Sequence, residues 1–227
     1  MKDRIAAVKE RIKSAAVLSG RNSEEIQLVA VSKTKPVERL QTAIACGITL
    51  FGENYIQEAR DKYNALYAQP ASWHFIGHLQ SNKAKYAVKI FDLIHSVDSI
   101  KLSREIDKQA RKIDKVQDVL VQVNIGEEAS KSGAPVDDTA RLIIEMSHLS
   151  HIAVKGLMTM PPYFNAPEKV RPYFAALRHL RDQIQAMQLR GIGMTELSMG
   201  MTGDFEAAIQ EGATLVRIGT AIFGARE

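Results

Sequence analysis

The sequence has few cysteines, few aromatic residues and no long apolar run. Cys46 is the single cysteine in 227 residues, which excludes an internal disulfide and a zinc site built from several thiolates. Aromatic residues make up 6%, too few for the base-stacking platforms of single-strand nucleic-acid binders. A membrane helix needs about 20 consecutive apolar residues, and neither such a run nor a signal peptide is present. We expect a cytoplasmic protein without a metal, a membrane or a nucleic-acid partner.

The remaining composition is ordinary for a folded domain. Hydrophobic residues make up 45% and charged residues 25%, and the net charge is +4. No linker, low-complexity segment or internal repeat divides the sequence. We therefore predict a single domain over residues 1–227, in which residues 1–20 form an additional N-terminal helix.

Short runs rich in β-branched or aromatic residues alternate with longer stretches of helical periodicity. This alternation predicts a parallel sheet, and eight units in about 200 to 250 residues favour a closed (β/α)8 TIM barrel over an open α/β sheet. The predicted strands are 26–33, 48–51, 73–77, 93–97, 119–124, 152–158, 195–199 and 214–218. The predicted helices after the N-terminal one are 37–46, 55–67, 83–90, 100–112, 135–146, 167–189 and 204–210.

The first predicted strand ends at a lysine, and in a barrel the active site forms at the carboxyl ends of the strands. Side-chain alternation places Val29, Val31 and Lys33 on one face, so Lys33 would stand at the top of the barrel interior. Burial lowers the pKa of an amine, and a neutral amine can form a Schiff base with an aldehyde. The alternative is that Lys33 is a solvated residue of the loop before Pro36.

The second and third predicted strands end in polar residues that allow two interpretations. Asn54 either forms a helix-capping pair with Gln57 or contacts a ring hydroxyl of a ligand. His74 and His78 would project to one side of the third strand. Because no third ligand is evident nearby, we interpret them as structural histidines rather than a metal pair.

The last two predicted strands end in small and hydroxyl-bearing residues: Ser198 and Gly200 on one, Gly219 and Thr220 on the other. Small residues let backbone N–H groups approach an anion, and barrels commonly bind phosphate with the loops after strands seven and eight. These four residues therefore predict a phosphate site. Ordinary turn glycines are the alternative.

Arg217 shares a strand face with Gly219 and would reach the barrel mouth, unless it forms a buried ion pair with Glu196. One ligand, pyridoxal 5′-phosphate (PLP), would satisfy all these features together. It offers an aldehyde to Lys33, a phosphate to the last two loops, and a ring to Asn54 and Arg217.

Five segments carry a resemblance to a known family. They are Ala-Val-Ser-Lys-Thr-Lys-Pro (30–36), Phe-Gly-Glu-Asn-Tyr (51–55), Trp-His-Phe-Ile-Gly-His-Leu-Gln-Ser-Asn-Lys (73–83), Leu-Ser-Met-Gly-Met (197–201) and Val-Arg-Ile-Gly-Thr-Ala-Ile-Phe-Gly (216–224). These segments resemble the pyridoxal phosphate homeostasis proteins of the YggS/PROSC type. The resemblance extends from the N-terminal helix to the last strand.

The resemblance implies a barrel like the N-terminal domain of alanine racemase. It implies that Lys33 is the Schiff-base lysine, that Asn54 lies near the ring hydroxyl and that Arg217 faces the pyridine nitrogen. The phosphate contacts that it implies are Ser198, Gly200, Gly219 and Thr220. The family often has Met-Ser-x-Asp where this chain has Met201-Thr202-Gly203-Asp204, and because threonine keeps the hydroxyl we expect no change in function.

The resemblance also bears on whether the chain is an enzyme or a carrier. Alanine racemases take a second base from an additional β-domain, and we expect no such domain here, because the eight predicted units account for the sequence. A permanent cation at Arg217 would also weaken the cofactor ring as an electron sink. We therefore expect a PLP homeostasis and delivery protein without robust catalysis, monomeric, with apo-PLP enzymes as transient acceptors. A PLP-dependent racemase or lyase of low activity, or a barrel enzyme acting on sugar phosphates, is the alternative.

Overall fold

The computed structural model describes residues 1–128, 132–162, 164 and 166–225. The strands in these residues close into one parallel barrel, in which each strand pairs with the next along the chain and β8 pairs with β1. The strands are β1 Gln27–Val31, β2 Leu50–Glu53, β3 Ser72–Phe75, β4 Leu93–Val97, β5 Gln117–Gln122, β6 Ile152–Met158, β7 Ile192–Ser198 and β8 Leu215–Ile218.

Helices connect the strands and cover the outside of the barrel. They are α1 Lys2–Leu18, α2 Val37–Ala45, α3 Ile56–Leu66, α4 Ala84–Ile90, α5 Ile100–Arg111, α6 Val136–Met146, α7 Arg171–Ala186, α8 Phe205–Gln210 and α9 Thr220–Phe223. The additional helix α1 packs against α8 and α9, which follow the last two strands. Within the described ranges, no helix has both the length and the apolar character needed to cross a membrane.

The predicted barrel and its N-terminal helix are confirmed, and each predicted strand has a counterpart. The main differences lie at the strand ends. β1 ends at Val31, so Lys33 lies in the turn after the strand rather than within it. β7 begins at Ile192, three residues before the predicted start, and the short helix α9 follows β8.

The barrel interior changes from apolar to polar toward the mouth. One inner cluster is entirely apolar and consists of Val29, Leu50, Leu93, Leu120, Met158 and Leu215. Because alternate residues of a strand face the same side, His95 and Arg217 occupy the next inward positions on β4 and β8. A larger apolar core lies between the strands and the helices. The barrel therefore presents polar side chains toward the carboxyl ends of its strands.

Candidate functional site

A cavity of about 340 Å³ opens at the carboxyl ends of the strands. This volume lies within the range of about 300 to 1,000 Å³ that is typical of small-molecule sites. Its ionisable and polar lining residues include Lys33, Asn54, Thr202, Asp204, Arg217 and Thr220. Its apolar lining is provided by Val31, Ile76, Met160, Phe164 and Met201.

The structure brings five of the seven predicted site residues to this cavity: Lys33, Asn54, Arg217, Gly219 and Thr220. Val29 faces the barrel interior and Val31 lines the cavity with Lys33, as side-chain alternation predicted. Ser198 and Gly200 lie below the mouth, where both accept hydrogen bonds from Arg217.

The turn that carries Lys33 is bonded to a buried charged group on both sides of the lysine. Ser32 donates from Oγ to Glu53 Oε1 at 2.6 Å, and the Ser32 carbonyl accepts from Lys62 Nζ at 2.7 Å. On the other side, the Thr34 N–H donates to Glu58 Oε1 at 2.5 Å. Lys62 Nζ joins the two carboxylates, at 2.7 Å from Glu53 and 2.6 Å from Glu58. We call Ser32, Glu53, Glu58 and Lys62 the lysine-side cluster.

Glu53 and Lys62 of this cluster are buried. Burial raises the pKa of Glu53, against the opposing effect of Lys62 and Ser32. Glu53 Oε2 is buried and has no hydrogen-bond partner within the described residues. The cluster therefore depends on the Lys62 ammonium, since it compensates a carboxylate that water does not reach.

Asn54 lies directly after β2 with its side-chain oxygen buried. The N-cap of α3 is Tyr55, and no side chain caps this helix end, so the capping role considered for Asn54 is not formed. In the described part of the chain Asn54 Oδ1 has no hydrogen-bond partner. A buried, unsatisfied amide oxygen in a cavity wall suits contact with a ligand.

Arg217 is buried in the barrel interior and reaches the cavity. Its Nη1 donates to Ser198 Oγ at 2.5 Å, and its Nη2 donates to the Thr159 carbonyl at 2.8 Å. Burial lowers the pKa of Arg217 to about 10, with a smaller opposing effect of Asp204, so the side chain stays charged at neutral pH. The alternative ion pair is not formed, because Glu196 instead accepts a hydrogen bond from Thr214.

Two histidines continue this hydrogen-bonded chain across the barrel. Ser198 Oγ lies 2.9 Å from His95 Nδ1, and His95 Nε2 lies 2.9 Å from His74 Nδ1. Burial lowers the pKa of His74 to about 4. Burial, His74 and Arg217 lower the pKa of His95 well below its usual value. Both rings are therefore neutral at neutral pH, and we call Ser198, His95 and His74 the interior chain.

The interior chain explains one of the predicted histidines and corrects the placement of the other. His74 is a buried structural histidine, as interpreted, but sequence reasoning missed its partner His95. His78 lies beyond the end of β3 and lines two neighbouring cavities, so it does not share a side with His74. The prediction that both histidines project to one side assumed that the strand continues to His78, whereas β3 ends at Phe75.

Ser198 and Gly200, the other two residues of the predicted phosphate site, are not among the lining residues of this cavity. The Ser198 hydroxyl is buried between Arg217 and His95. Gly200 has a φ of +91° and lies beneath α8, where a Cβ would stand 2.6 Å from the Ala208 Cβ. Its carbonyl accepts the Arg217 N–H at 3.0 Å. Both residues therefore contact Arg217, Ser198 through its hydroxyl and Gly200 through its carbonyl.

Thr202, four residues after Ser198, lines the cavity with its hydroxyl-bearing side chain. The sequence analysis did not include it among the predicted site residues. The available signal was the Met201–Asp204 segment, where a hydroxyl recurs in the resembled family. The Asp204 carboxylate closes this turn by accepting the Met201 N–H at 2.6 Å. Burial raises the pKa of Asp204.

Comparison with known proteins finds relatives that match nearly the whole chain. Residues 4–227 match the family described as alanine racemase, N-terminal domain. A pyridoxal phosphate homeostasis protein of Aquifex aeolicus is 46% identical over 225 residues, which cover 99% of this chain and 98% of that protein. The protein of the same name from Escherichia coli K12 is 40% identical, covering 98% of this chain and 95% of that protein.

Solved structures give the same result. PipY of Synechococcus elongatus PCC7942, in a structure with PLP bound, has a TM-score of 0.84 at 36% identity, with 96% of this chain and 100% of that chain covered. An alanine racemase of Clostridium difficile 630 shares the fold, with a TM-score of 0.75 at 16% identity over 57% of its chain. From these identities over nearly the whole chain, the protein belongs to the alanine racemase N-terminal domain family, within its group of pyridoxal phosphate homeostasis proteins.

Proposed function

We propose that this chain binds PLP as a Schiff base on Lys33 and serves PLP homeostasis by holding and delivering the cofactor, without robust catalysis. The observation that carries the proposal is the cavity itself, which joins a lysine, a buried arginine and two threonine hydroxyls at the barrel mouth. The relatives named for PLP homeostasis and the PLP-bound PipY structure support the same ligand.

The residues present fit the three parts of PLP. Lys33 offers an amine for the aldehyde, and the unsatisfied Asn54 oxygen offers a contact beside the ring. For the phosphate, Thr202 and Thr220 provide hydroxyls. Gly219 keeps space beside them, since a Cβ there would approach the Val31 carbonyl oxygen to 3.3 Å.

The covalent step requires the neutral amine of Lys33. Its nitrogen adds to the aldehyde carbon, a C=N bond replaces the C=O bond, and the oxygen leaves with two hydrogens as water. Water can reverse the same step, so the attachment allows both storage and release. The lysine-side cluster holds the backbone on both sides of the amine, which favours a fixed direction of attack.

The charge of Arg217 argues against strong catalysis. Hydrogen bonds to Ser198 and to the Thr159 carbonyl hold its guanidinium in the barrel interior. Its pKa of about 10 keeps the guanidinium cationic at neutral pH. A cation beside the pyridine nitrogen disfavours protonation of that nitrogen, and the unprotonated ring is a weaker electron sink. The site would therefore bind the cofactor without strongly activating an amino acid.

The attachment is tested by adding PLP to the purified chain, reducing the product with borohydride and locating the modified peptide by mass spectrometry. We expect the label on Lys33, and Lys33→Ala should lose the visible absorbance band of the bound cofactor. Lys155→Ala, which removes a surface lysine paired with Asp118, is the matched control. A label on another lysine, or a band that persists in Lys33→Ala, would contradict the proposal.

Delivery is tested separately with an apo-PLP enzyme as the acceptor. We expect reactivation by the loaded chain to be faster than PLP release into solvent, as measured with a trap for free PLP. Equal rates would show that the acceptor receives only released cofactor, which would contradict delivery by contact.

A weakly active racemase or lyase is the second candidate, and Asp204 is the observation that favours it. This carboxyl lines the cavity, where it could transfer a proton, and burial raises its pKa. Incubation of the loaded chain with amino acids in deuterated water distinguishes the candidates. Appreciable exchange at the α-carbon that is lost in Asp204→Asn would support the enzyme over the carrier.

A further inference from the structure

The interior chain consists of three buried polar residues to which the proposed function assigns no role. Ser198, His95 and His74 are each 7% exposed or less, in a barrel interior that also contains an apolar cluster of six side chains. Polar groups in such a place are costly unless each is hydrogen-bonded. The three residues meet this condition through one another and through Arg217.

The donors and acceptors of the chain assign its direction. A guanidinium can only donate, so Ser198 Oγ accepts from Arg217 Nη1. The Ser198 hydroxyl hydrogen is then available to His95 Nδ1, and His95 Nε2–H can donate to His74 Nδ1. In this arrangement each of the three hydrogen bonds has one donor and one acceptor, and both imidazole rings are neutral. The positive charge of Arg217 polarises each bond in the same direction.

We propose that Ser198, His95 and His74 are positioning residues that hold the Arg217 guanidinium in the orientation that meets the ring nitrogen of the ligand. This inference rests on the proposed PLP function for the identity of the ligand. Ser198 fixes one end of the guanidinium and the Thr159 carbonyl fixes the other. Two anchors set the plane of the group, and His95 fixes the serine rotamer that makes one of them possible.

The competing partner for Arg217 is Asp204. This carboxylate acts electrostatically on Arg217 and also accepts the Met201 N–H. If Ser198 no longer held Nη1, the guanidinium would be free to turn toward Asp204. That movement would displace the ring-nitrogen contact and disturb the Met201–Asp204 turn, which carries Thr202.

The test compares Ser198→Ala with Ser198→Thr and with Ser96→Ala. Ser96 is the matched control because its buried hydroxyl, next to His95 on β4, has no hydrogen-bond partner in the described ranges. A hydrogen bond to a charged group is strong enough that we expect Ser198→Ala to weaken PLP binding about 10-fold. Ser198→Thr should restore binding, and Ser96→Ala should leave it unchanged.

Two spectroscopic readouts separate positioning from a general loss of packing. With PLP labelled with ¹⁵N in the ring, Ser198→Ala should shift the ring-nitrogen resonance, whereas Ser96→Ala should not. In the apo chain, the guanidinium ¹⁵N resonances of Arg217 should report faster rotation in Ser198→Ala. The apo measurement does not need PLP, so it tests the chain of hydrogen bonds even if the proposed function fails.

His95→Phe removes the second link while keeping a buried ring. If the residues act as one chain, the double variant Ser198→Ala/His95→Phe should bind PLP no more weakly than Ser198→Ala alone. Additive losses would overturn the proposal. A folded Ser198→Ala chain with unchanged PLP affinity and unchanged Arg217 resonances would overturn it as well, even if His95→Phe does not fold. Absence of any PLP binding by the unaltered chain would instead contradict the proposed function.

Discussion

The cavity is supported by two groups of opposite chemistry, one outside the barrel wall and one inside it. The lysine-side cluster lies under α3, where an ammonium joins two carboxylates and holds backbone atoms on both sides of Lys33. The interior chain is neutral, and it holds a side chain, the guanidinium of Arg217. Lys33 lies in a turn after β1, whereas Arg217 lies within β8.

This difference shows what each functional residue needs from its surroundings. The backbone of Arg217 is already fixed by pairing with β1 and by the Gly200 carbonyl, so only its side chain needs an anchor. The turn at Lys33 lies past the end of β1 and includes Thr34 at a φ of +63°. Charged hydrogen bonds, which are shorter and stronger than neutral ones, hold this irregular backbone in place.

Removing the ammonium of the lysine-side cluster should have the largest effect on stability. Lys62→Met leaves Glu53 buried without its cation, a change that typically costs about 3–5 kcal/mol. We expect a loss of this size in the free energy of unfolding measured with urea. The double variant Lys62→Met/Glu53→Gln should recover most of it, since no unpaired charge then remains.

Lys155→Met is the control, since it breaks an ion pair with Asp118 in which both side chains are about 40% exposed. An exposed pair contributes at most about 1 kcal/mol. Similar losses in Lys62→Met and Lys155→Met would show that burial of the cluster does not matter, and the contrast between the two supporting groups would fail.

The interior chain should make the protein sensitive to acid. The pKa of His74 is about 4 in the folded chain and about 6.5 when unfolded. The unfolded state therefore binds more protons between these values, and stability falls as the pH decreases from about 6.5 to 4. From the shift of His74 the loss is about 3 kcal/mol, and the lowered pKa of His95 adds to it. Urea unfolding across this pH range measures it, and His74→Gln should flatten the dependence.

The lysine-side cluster should act in the opposite direction over the same pH range. The pKa of Glu53 is raised in the folded chain, so the folded state binds more protons there and this contribution to stability increases as the pH falls. Glu53→Gln removes that contribution. We expect the acid loss to be steeper in Glu53→Gln than in the unaltered chain, and a shallower loss would contradict the assigned direction.

The barrel could be predicted because its local signals agree with one another. β4 and β6 match their predicted bounds, since each mostly apolar run is flanked by polar residues, Asp92 and Asp98 for β4 and His151 and Thr159 for β6. Lys33 was placed at the mouth from alternation alone, although it lies past the strand end.

The supporting contacts could not be predicted, because they depend on the offset between strands. His74 meets His95 because His74 pairs with Leu93 across β3 and β4, and one sequence does not specify that register. At the end of β7, Ser198 pairs with Met158 and Leu215, whereas Thr202 lies in the turn that follows and lines the cavity. Nothing in the sequence distinguishes Lys62 from the other polar residues of α3. The packing of α3 beside β2 brings its amine to Glu53.

The smallest expected effect is on the strained turn itself. Thr34 adopts a left-handed φ, which is unfavourable for a β-branched residue and tolerated by asparagine. We expect Thr34→Asn to raise the free energy of unfolding by about 1 kcal/mol, because the backbone N–H to Glu58 is retained while the strain is relieved. Thr42→Asn, at an exposed helical position in α2, should give no gain. If Thr34→Asn is neutral or destabilising, the turn at Lys33 is not under strain, and the charged cluster beside it must serve the placement of Lys62 and Glu53 rather than the backbone of the lysine.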